Sequence, residues 1–299
     1  MWGNHETGRR TLLRATLLLP LAGCTAAPAG SPSSGPPAPG ASPPHFALLE
    51  RRFDARLGVY ALDTGSGREI VHRADERFAM LSTFKTLAAA AVLDRTPPEH
   101  LDDLVRFTSA DLLEYAPIAE QQVDTGMTIR DLCEAAIRYS DNTAANLLLA
   151  DLGGPQEVTA FARELGDTVT RLDRTEPDLN TAVPGDERDT SSPRAIAGLY
   201  RELVLGERLD PADRELLTGW LVGNTTGGEE IRAGLPGTWR VGDKTGSGAF
   251  GTANDVAVAW PPDRAPIVLA TMSTRPAQDA DADPALLAAA AREVAAALA

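Results

Sequence analysis

Ser82-Thr83-Phe84-Lys85-Thr86-Leu87-Ala88-Ala89-Ala90-Ala91-Val92-Leu93 is the stretch on which the reading of this 299-residue chain turns. Its apolar run, free of glycine and proline, predicts a helix over Ser82–Leu93. Positions three apart share a helix face, so the Ser82 hydroxyl and the Lys85 amine can meet. The helix N-terminus adds positive potential and backbone N–H groups beside the hydroxyl. A serine at a helix start is ordinarily an N-cap, and Ser-x-x-Lys arises readily by chance. The stretch therefore needs support from elsewhere in the chain.

That support comes from lysine usage. Of 28 basic residues 26 are arginine, and the only lysines are Lys85 and Lys244. Surface charge is thus left to arginine. Lysine remains where a compact amine able to lose its proton has a use that arginine does not meet. Lys244 opens Lys244-Thr245-Gly246-Ser247-Gly248, read as leaving a strand at Trp239–Asp243. Gly246 would let a strand edge approach a ligand without side-chain obstruction. The Ser247 N–H could then pair with that of Ser82 around a developing oxyanion. A glycine-rich hairpin turn is the commoner meaning of such a stretch. Between the two lysines, Ser140-Asp141-Asn142 stands at the entrance to a helix ending before Gly153-Gly154 and reads first as an N-cap cluster. Read as chemistry, Ser140 relays a proton to a leaving nitrogen, and Asn142 binds both a substrate amide and Lys85.

Ser82-x-x-Lys85, Ser140-Asp141-Asn142 and Lys244-Thr245-Gly246, in that order, resemble the motif set of the serine penicillin-recognising enzymes, and within them the class A β-lactamases. The resemblance extends over nearly all of residues 45–299. It includes Tyr115-Ala116-Pro117, Gly126-Met127-Thr128, Asp186-Glu187-Arg188-Asp189-Thr190 and Gly223-Asn224-Thr225-Thr226-Gly227. It implies hydrolysis of the β-lactam ring of antibiotics through a Ser82 acyl-enzyme. It further implies substrate binding by Tyr115, Asn142, Asn180, Lys244, Thr245, Gly246 and Ser247, and an oxyanion hole from the Ser82 and Ser247 amides. No metal or organic cofactor is expected.

A penicillin-binding peptidase needs only those three elements, whereas a lactamase also needs a base that delivers water to the acyl ester. The polar, proline-bearing segment Arg171–Ser191 has no clear periodicity, and a loop that long in a compact domain is usually functional or disordered. Within its Glu176-Pro177-Asp178-Leu179-Asn180, Glu176 resembles the family's hydrolytic glutamate and Asn180 its partner in holding the water. Arg174 and Asp189 resemble the ion pair that closes this loop. Members of the family commonly bind the substrate carboxylate with an arginine near the Lys-Thr-Gly strand. By spacing, Glu230 and Ala253 occupy two positions of that arginine, which leaves Arg275 as the candidate. The family's disulfide is absent, because Ala89 stands opposite Cys133. The competing readings are a D-Ala-D-Ala peptidase using the same Ser82/Lys85 pair and, from a different class, a penicillin sensor that acylates once.

Outward from these motifs, strands are predicted at Arg56–Leu62, Glu69–Val71, Trp239–Asp243, Asp255–Trp260 and Ile267–Met272. Helices are predicted at Ile129–Tyr139, Asn142–Leu152, Gln156–Leu165, Ser192–Leu205, Pro211–Leu221 and from Pro284 to the end. The expected class is α+β: an antiparallel sheet built from both termini with flanking helices, plus an inserted helical lobe. The α/β lobe would comprise residues 45–75 and 222–299 and the helical lobe 76–221, with the active site at their boundary.

Residues 1–23 read as a lipoprotein-type signal peptide. Arg9, Arg10 and Arg14 precede an apolar run too short to span a bilayer, and Leu21-Ala22-Gly23-Cys24 resembles a cleavage box that would leave Cys24 lipidated. The Arg9-Arg10 pair also hints at twin-arginine export. Residues 24–44 read as a tether. From Thr25 onward they contain only Pro, Ala, Ser, Gly and Thr, with too little apolar surface to offset the entropy of ordering. The expected location is the outer face of the cytoplasmic membrane or the cell envelope, as an exported lipoprotein that could be partly secreted, with the lipid at Cys24 as the sole membrane tie. Three arginines and one glutamate lie before residue 45, so residues 45–299 carry a formal charge of −16, which disfavours nucleic acid and anionic membranes as partners. Apart from Cys24 the only cysteine is Cys133, in an apolar-periodic stretch that predicts a buried thiol. His5, His45, His72 and His100 have no metal-ligand spacing. A monomer acting on small molecules is expected.

Overall fold

A computed structural model describes residues 45–298. The expected signal peptide and tether, with the expected lipidation site at Cys24, lie outside the described residues. Helix α1 (Phe46–Phe53), strands β1 (Arg56–Asp63) and β2 (Glu69–His72) and the two-residue β3 (Phe78–Ala79) lead to a 3₁₀ turn at Leu81–Thr83 and then α2 (Phe84–Arg95). A small ladder of β4 (Leu104–Val105) and β5 (Met127–Thr128) precedes α3 (Ile129–Arg138), α4 (Asn142–Leu152) and α5 (Pro155–Glu164). Strand β6 (Thr190–Ser191) pairs with β3 and is followed by α6 (Pro193–Leu205), α7 (Pro211–Val222) and the single turn α8 (Ile231–Gly234). Strands β7 (Arg240–Gly248), β8 (Thr252–Trp260) and β9 (Ile267–Thr274) and helix α9 (Pro284–Leu298) complete the order.

The main sheet runs β2-β1-β9-β8-β7, antiparallel throughout, so both termini contribute to it and the helical segment is inserted between. Side chains alternate across the pleat and build a core on each face. Leu57, Val59 and Ala61 of β1, with Ala257 and Ala259 of β8, pack with α1, α8 and α9. Tyr60, Val256, Val258, Val268, Ala270 and Met272 face the other way and join the core of the inserted helices. Helix α6 lies against β1, β8 and β9, so the sheet and the helical segment share that second core.

Helix α2 is buried from Phe84 through Leu93, Lys85 and Thr86 included. Its alanines let α3, α4, α5 and α7 all pack around it. Truncating a side chain such as Leu87 there would cost about 2–5 kcal/mol through lost burial and a residual cavity.

Three features depart from the sequence reading. Helix α2 starts at Phe84 rather than Ser82: Ser82 sits in the 3₁₀ turn, and Leu81 before it is left-handed at φ 53°. Strand β7 does not end at Asp243 but runs to Gly248, because its pairing with β8 continues from Lys244↔Val256 to Gly248↔Thr252. The glycine-rich stretch is thus strand edge and not turn. Helices α1 and α8 were not delimited by sequence periodicity, being only 8 and 4 residues long. Among the described residues no helix is long and apolar enough to cross a membrane.

Candidate active site

The 3₁₀ turn and the first turn of α2 carry Ser82 and Lys85 to one place, yet the two side chains do not hydrogen-bond each other. Ser82 Oγ donates to Glu176 Oε1 at 3.4 Å, a long contact for a hydroxyl, and Lys85 Nζ lies 3.1 Å from the same oxygen. Lys85 also donates to Ser140 O at 2.8 Å, Asn142 Oδ1 at 2.6 Å and Ser140 Oγ at 3.4 Å. Both the Lys85 and the Glu176 side chains are fully buried. Burial pushes the Lys85 amine below the usual lysine range, while Glu176 and, more weakly, Asp141 oppose that shift.

Ser140 is the hinge of the second element. Its backbone is left-handed at φ 56°, a costly conformation for a non-glycine residue, and this shape lets both its carbonyl and its hydroxyl face lysines. Lys244 Nζ donates to Ser140 Oγ at 3.0 Å and to Thr245 O at 2.8 Å. One hydroxyl therefore stands between two amines. The Lys244 amine is brought down to about 7, first by burial and then by the charge of Lys85, with Asp243, Asp255 and Glu176 opposing. Asp141 caps α4 through Ala144 N at 2.8 Å and holds Ile118 N and Ala119 N at 3.0 and 2.9 Å. With Asn142 N donating to Tyr115 O at 2.9 Å, this fixes the loop that presents the exposed Tyr115.

Segment 171–191 is tied down at both ends. Asp189 is fully buried and accepts from Asp173 N at 2.7 Å, Arg174 N at 2.9 Å and Arg174 Nε at 2.6 Å. The Arg174–Asp189 pair is therefore not an exposed salt bridge. Within the loop a 3₁₀ turn spans Asp178–Thr181, and the Asn180 amide donates to Glu176 Oε2. Asn146, which the sequence reading passed over, clamps the backbone of Glu176 from α4: its Oδ1 accepts from Glu176 N and its Nδ2 donates to Glu176 O, each at 2.9 Å. The signal for it was its place one turn beyond Asn142 on the same helix face.

Strand β7, the edge of the sheet, closes the other wall. A Cβ on Gly246 would lie 2.9 Å from Leu81 Cβ and 3.0 Å from Ser82 N, so the absence of a side chain lets the strand abut the serine turn. Thr226, part of a stretch quoted for the resemblance but given no role there, meets Thr245 hydroxyl to hydroxyl at 2.5 Å. Ser82, Tyr115, Ser140, Asn142, Asn180, Thr245, Gly246 and Ser247 line one cleft of about 430 Å³, together with Thr226, Glu230 and Ala253. A slightly larger cavity of about 490 Å³ lies against Arg174 and residues 182–188 and holds none of the reactive groups, so the chemistry points to the smaller one.

Arg275 is not brought to this cleft. Its guanidinium donates to Asp283 Oδ2 at 3.1 Å and Asp281 O at 3.2 Å, and it borders a different surface depression beside Arg51 and Arg56. The reason is local: β9 ends at Thr274, and the acidic approach to α9 captures the arginine. Cys133 is a buried free thiol, and burial pushes it well above the usual cysteine range.

Comparison with known proteins follows this geometry. Residues 46–298 match the model of the beta-lactamase enzyme family. The chain is 58% identical over 262 residues to a beta-lactamase of Amycolatopsis lactamdurans, covering 86% of this chain and 87% of that one. It is 54% identical over 305 residues to the beta-lactamase of Mycobacterium tuberculosis strain H37Rv, covering 99% of each. The solved beta-lactamase from Streptomyces albus G superposes with a TM-score of 0.82 at 54% identity, over 84% of this chain and 96% of that one. A buried serine, lysine and glutamate meeting at one carboxylate oxygen, with a second lysine behind Ser140, thus stand in a chain that belongs to the β-lactamase enzyme family.

Proposed function

We propose that the protein is a class A serine β-lactamase that confers antibiotic resistance by acylating Ser82 and hydrolysing the ester with water activated by Glu176. The observation that carries this reading is the sharing of Glu176 Oε1 by Ser82 Oγ and Lys85 Nζ. Asn142, Tyr115, Thr245 and Ser247 hold the lactam in the cleft, with Lys244 behind Thr245 supplying positive potential. Ser82 Oγ attacks the ring carbonyl and gives its proton to the Glu176 carboxylate or to Lys85 in its neutral form, both of which lie on that side. The amides of Ser82 and Ser247 receive the oxyanion. The C–N bond then breaks, and Ser140, fed by the flanking lysines, protonates the leaving nitrogen. In the second half Glu176 takes a proton from water, the hydroxide attacks the ester, and Ser82 regains its proton as the ring-opened acid leaves. This chemistry calls on no cofactor.

The reading includes export, a lipid at Cys24 as the only membrane tie, and a monomer with no nucleic-acid partner; the leader sequence and the −16 charge of residues 45–299 support it. The test is turnover of a chromogenic cephalosporin by residues 45–299, beside Ser82→Ala. Many turnovers by the unaltered protein and none by Ser82→Ala are expected. A stoichiometric burst that then stops would overturn hydrolysis in favour of a peptidase or a sensor.

A further inference from the structure

Among the residues lining the cleft there is no arginine, and one carboxylic acid, Glu230. Glu230 is half-buried at the start of α8, with Oε2 shut away from solvent and without a hydrogen-bond partner. Thr226 and Ala253 beside it offer no charge. The groups facing it are mainly acidic. Asp243 of β7 accepts from Arg232 of α8 through Oδ1 and from Asn224 through Oδ2, so it is the best-paired of these acids, although burial raises its carboxyl as well. Asp255 of β8 accepts from Ile231 N at 3.0 Å through Oδ2, while its Oδ1 has no partner. Glu229 lies beside it on its own segment, and the cations nearby are Arg232, already spent on Asp243, and Lys244 of β7.

Three carboxyls thus lie near one another with only Asp243 paired to a guanidinium, and the other two each keep an oxygen unpaired. An unpaired buried carboxylate is expensive, whereas a protonated one is much less so. In line with this, burial and then the charge of Asp243 raise Glu230 above the ordinary glutamate value, and burial followed by Asp243 and Glu230 raises Asp255 well above its own.

We propose that Glu230 is a specificity-determining residue that couples the binding of anionic ligands in this cleft to its own proton: protonated, it tolerates a ligand carboxylate against Thr226 and Thr245, and ionised, it repels one. The inference rests on the proposed lactam chemistry and deepens it by naming what the cleft selects. A carboxylate entering the cleft adds a negative charge, so by linkage it makes Glu230 hold its proton more tightly, and binding takes up a proton wherever the free enzyme has lost it. A substrate whose carboxylate is esterified escapes this control.

The experiment compares KM and kcat from pH 5 to 9 for benzylpenicillin and for its methyl ester, in the unaltered protein and in Glu230→Gln, which keeps the shape and removes the charge. At the alkaline end KM for benzylpenicillin is expected to be roughly five-fold higher in the unaltered protein than in Glu230→Gln, the effect of one like charge about 4 Å away when screened as in bulk water. The gap closes towards acid pH, is absent with the ester and leaves the shape of the kcat profile alone. Parallel KM profiles, or an equal gap with the ester, would overturn the proposal. A second arm does not need turnover. Benzylpenicillin is titrated calorimetrically into Ser82→Ala near neutral pH in buffers of different ionisation enthalpy. Because Lys244 also titrates near neutral pH, the readout is the difference: proton uptake larger in Ser82→Ala than in Ser82→Ala/Glu230→Gln supports the role of Glu230, and equal uptake in the two refutes it. Failure of the unaltered protein to turn over lactam counts instead against the hydrolytic reading.

Discussion

Glu176 Oε1 lies 3.4 Å from Ser82 Oγ, although 94 residues separate the two in sequence. Lys85 shares the same oxygen, so in the proposed mechanism an ester on Ser82 would form beside this carboxylate. Glu176→Ala is therefore expected to leave the serine reactive while removing the base for hydrolysis. Intact-mass measurement after mixing with benzylpenicillin should find an adduct of one whole lactam persisting in the variant and absent from the unaltered enzyme. Loss of general-base catalysis should lower turnover by about 10²–10⁴-fold. A variant that neither turns over nor acylates would assign Glu176 to the first step as well.

Lys244 ties activity to pH. With its amine brought down to about 7, it is mainly cationic below that pH and mainly neutral above it. The cation attracts an anionic substrate and can supply Ser140 with a proton, so kcat/KM for benzylpenicillin is expected to fall as pH rises through about 7. A guanidinium does not titrate in this range, so Lys244→Arg should move that limb to higher pH, whatever it costs at the optimum. The stability effect has the opposite sign. Between about 7 and the unfolded lysine value the unfolded chain binds more protons at this site than the folded one, so the site's contribution to stability rises with pH across that window.

The parts of this arrangement that could be read in sequence are those written in local signals. Helix α4 runs over the expected Asn142–Leu152 because Asp141 supplies its N-cap and Gly153 its left-handed end, both visible as residue types. Runs of apolar, β-favouring residues bounded by turn residues likewise located β1, β8 and β9 to within a few residues. What escaped depends on partners distant in sequence. The extension of β7 through Lys244-Thr245-Gly246 is decided by β8, since glycines alone look like a turn. Asn146 has no meaning until Glu176, 30 residues on, folds against it. Arg275 was assigned by elimination, and elimination did not anticipate Asp283 as its partner.

Asn146 should matter to deacylation more than to acylation. Its two hydrogen bonds hold the peptide groups on either side of the Glu176 Cα and touch nothing of Ser82 or Lys85. Asn146→Ala removes both and leaves a partly buried N–H and C=O to find other partners, a loss of roughly 1–3 kcal/mol for each group left unpaired. Pre-steady-state kinetics are expected to give near-normal acylation with slowed release, so acyl-enzyme accumulates. Equal slowing of both steps would mean that α4 itself has shifted.

Asp189 anchors the same loop from its far end. Asp189→Ala deletes a buried acceptor of two backbone N–H groups and strands the Arg174 guanidinium, which places the expected loss near 3–5 kcal/mol. Thermal unfolding should show a lower Tm. Arg174→Ala should also lower it, because it leaves Asp189 buried and charged, but two backbone donors remain to that carboxylate and the loss should be smaller. Asp189 is left-handed at φ 57°, which asparagine tolerates well, so Asp189→Asn should recover part of the difference.

Gly246→Ala tests the contact between the serine turn and the edge strand. The added methyl would sit 2.9 Å from Leu81 Cβ, 3.0 Å from Ser82 N and 3.3 Å from Met80 O, and these are atoms fixed by the backbone, not the ends of flexible side chains. Relief requires β7 to move away from the turn. That move separates the Ser82 amide from the Ser247 amide, whose joint placement the proposed oxyanion hole needs. Overpacking of this kind costs about 1–3 kcal/mol, which a domain of this size survives. The expected outcome is a folded protein with modestly lowered Tm and a kcat/KM reduced by about 10²-fold, since misplacement of about 1 Å has that effect on an oriented reaction. Gly228→Ala is the control, because a Cβ there meets nothing within 4 Å. Acylation by Gly246→Ala as fast as by Gly228→Ala would show that the oxyanion donors do not depend on the approach of β7 to Ser82.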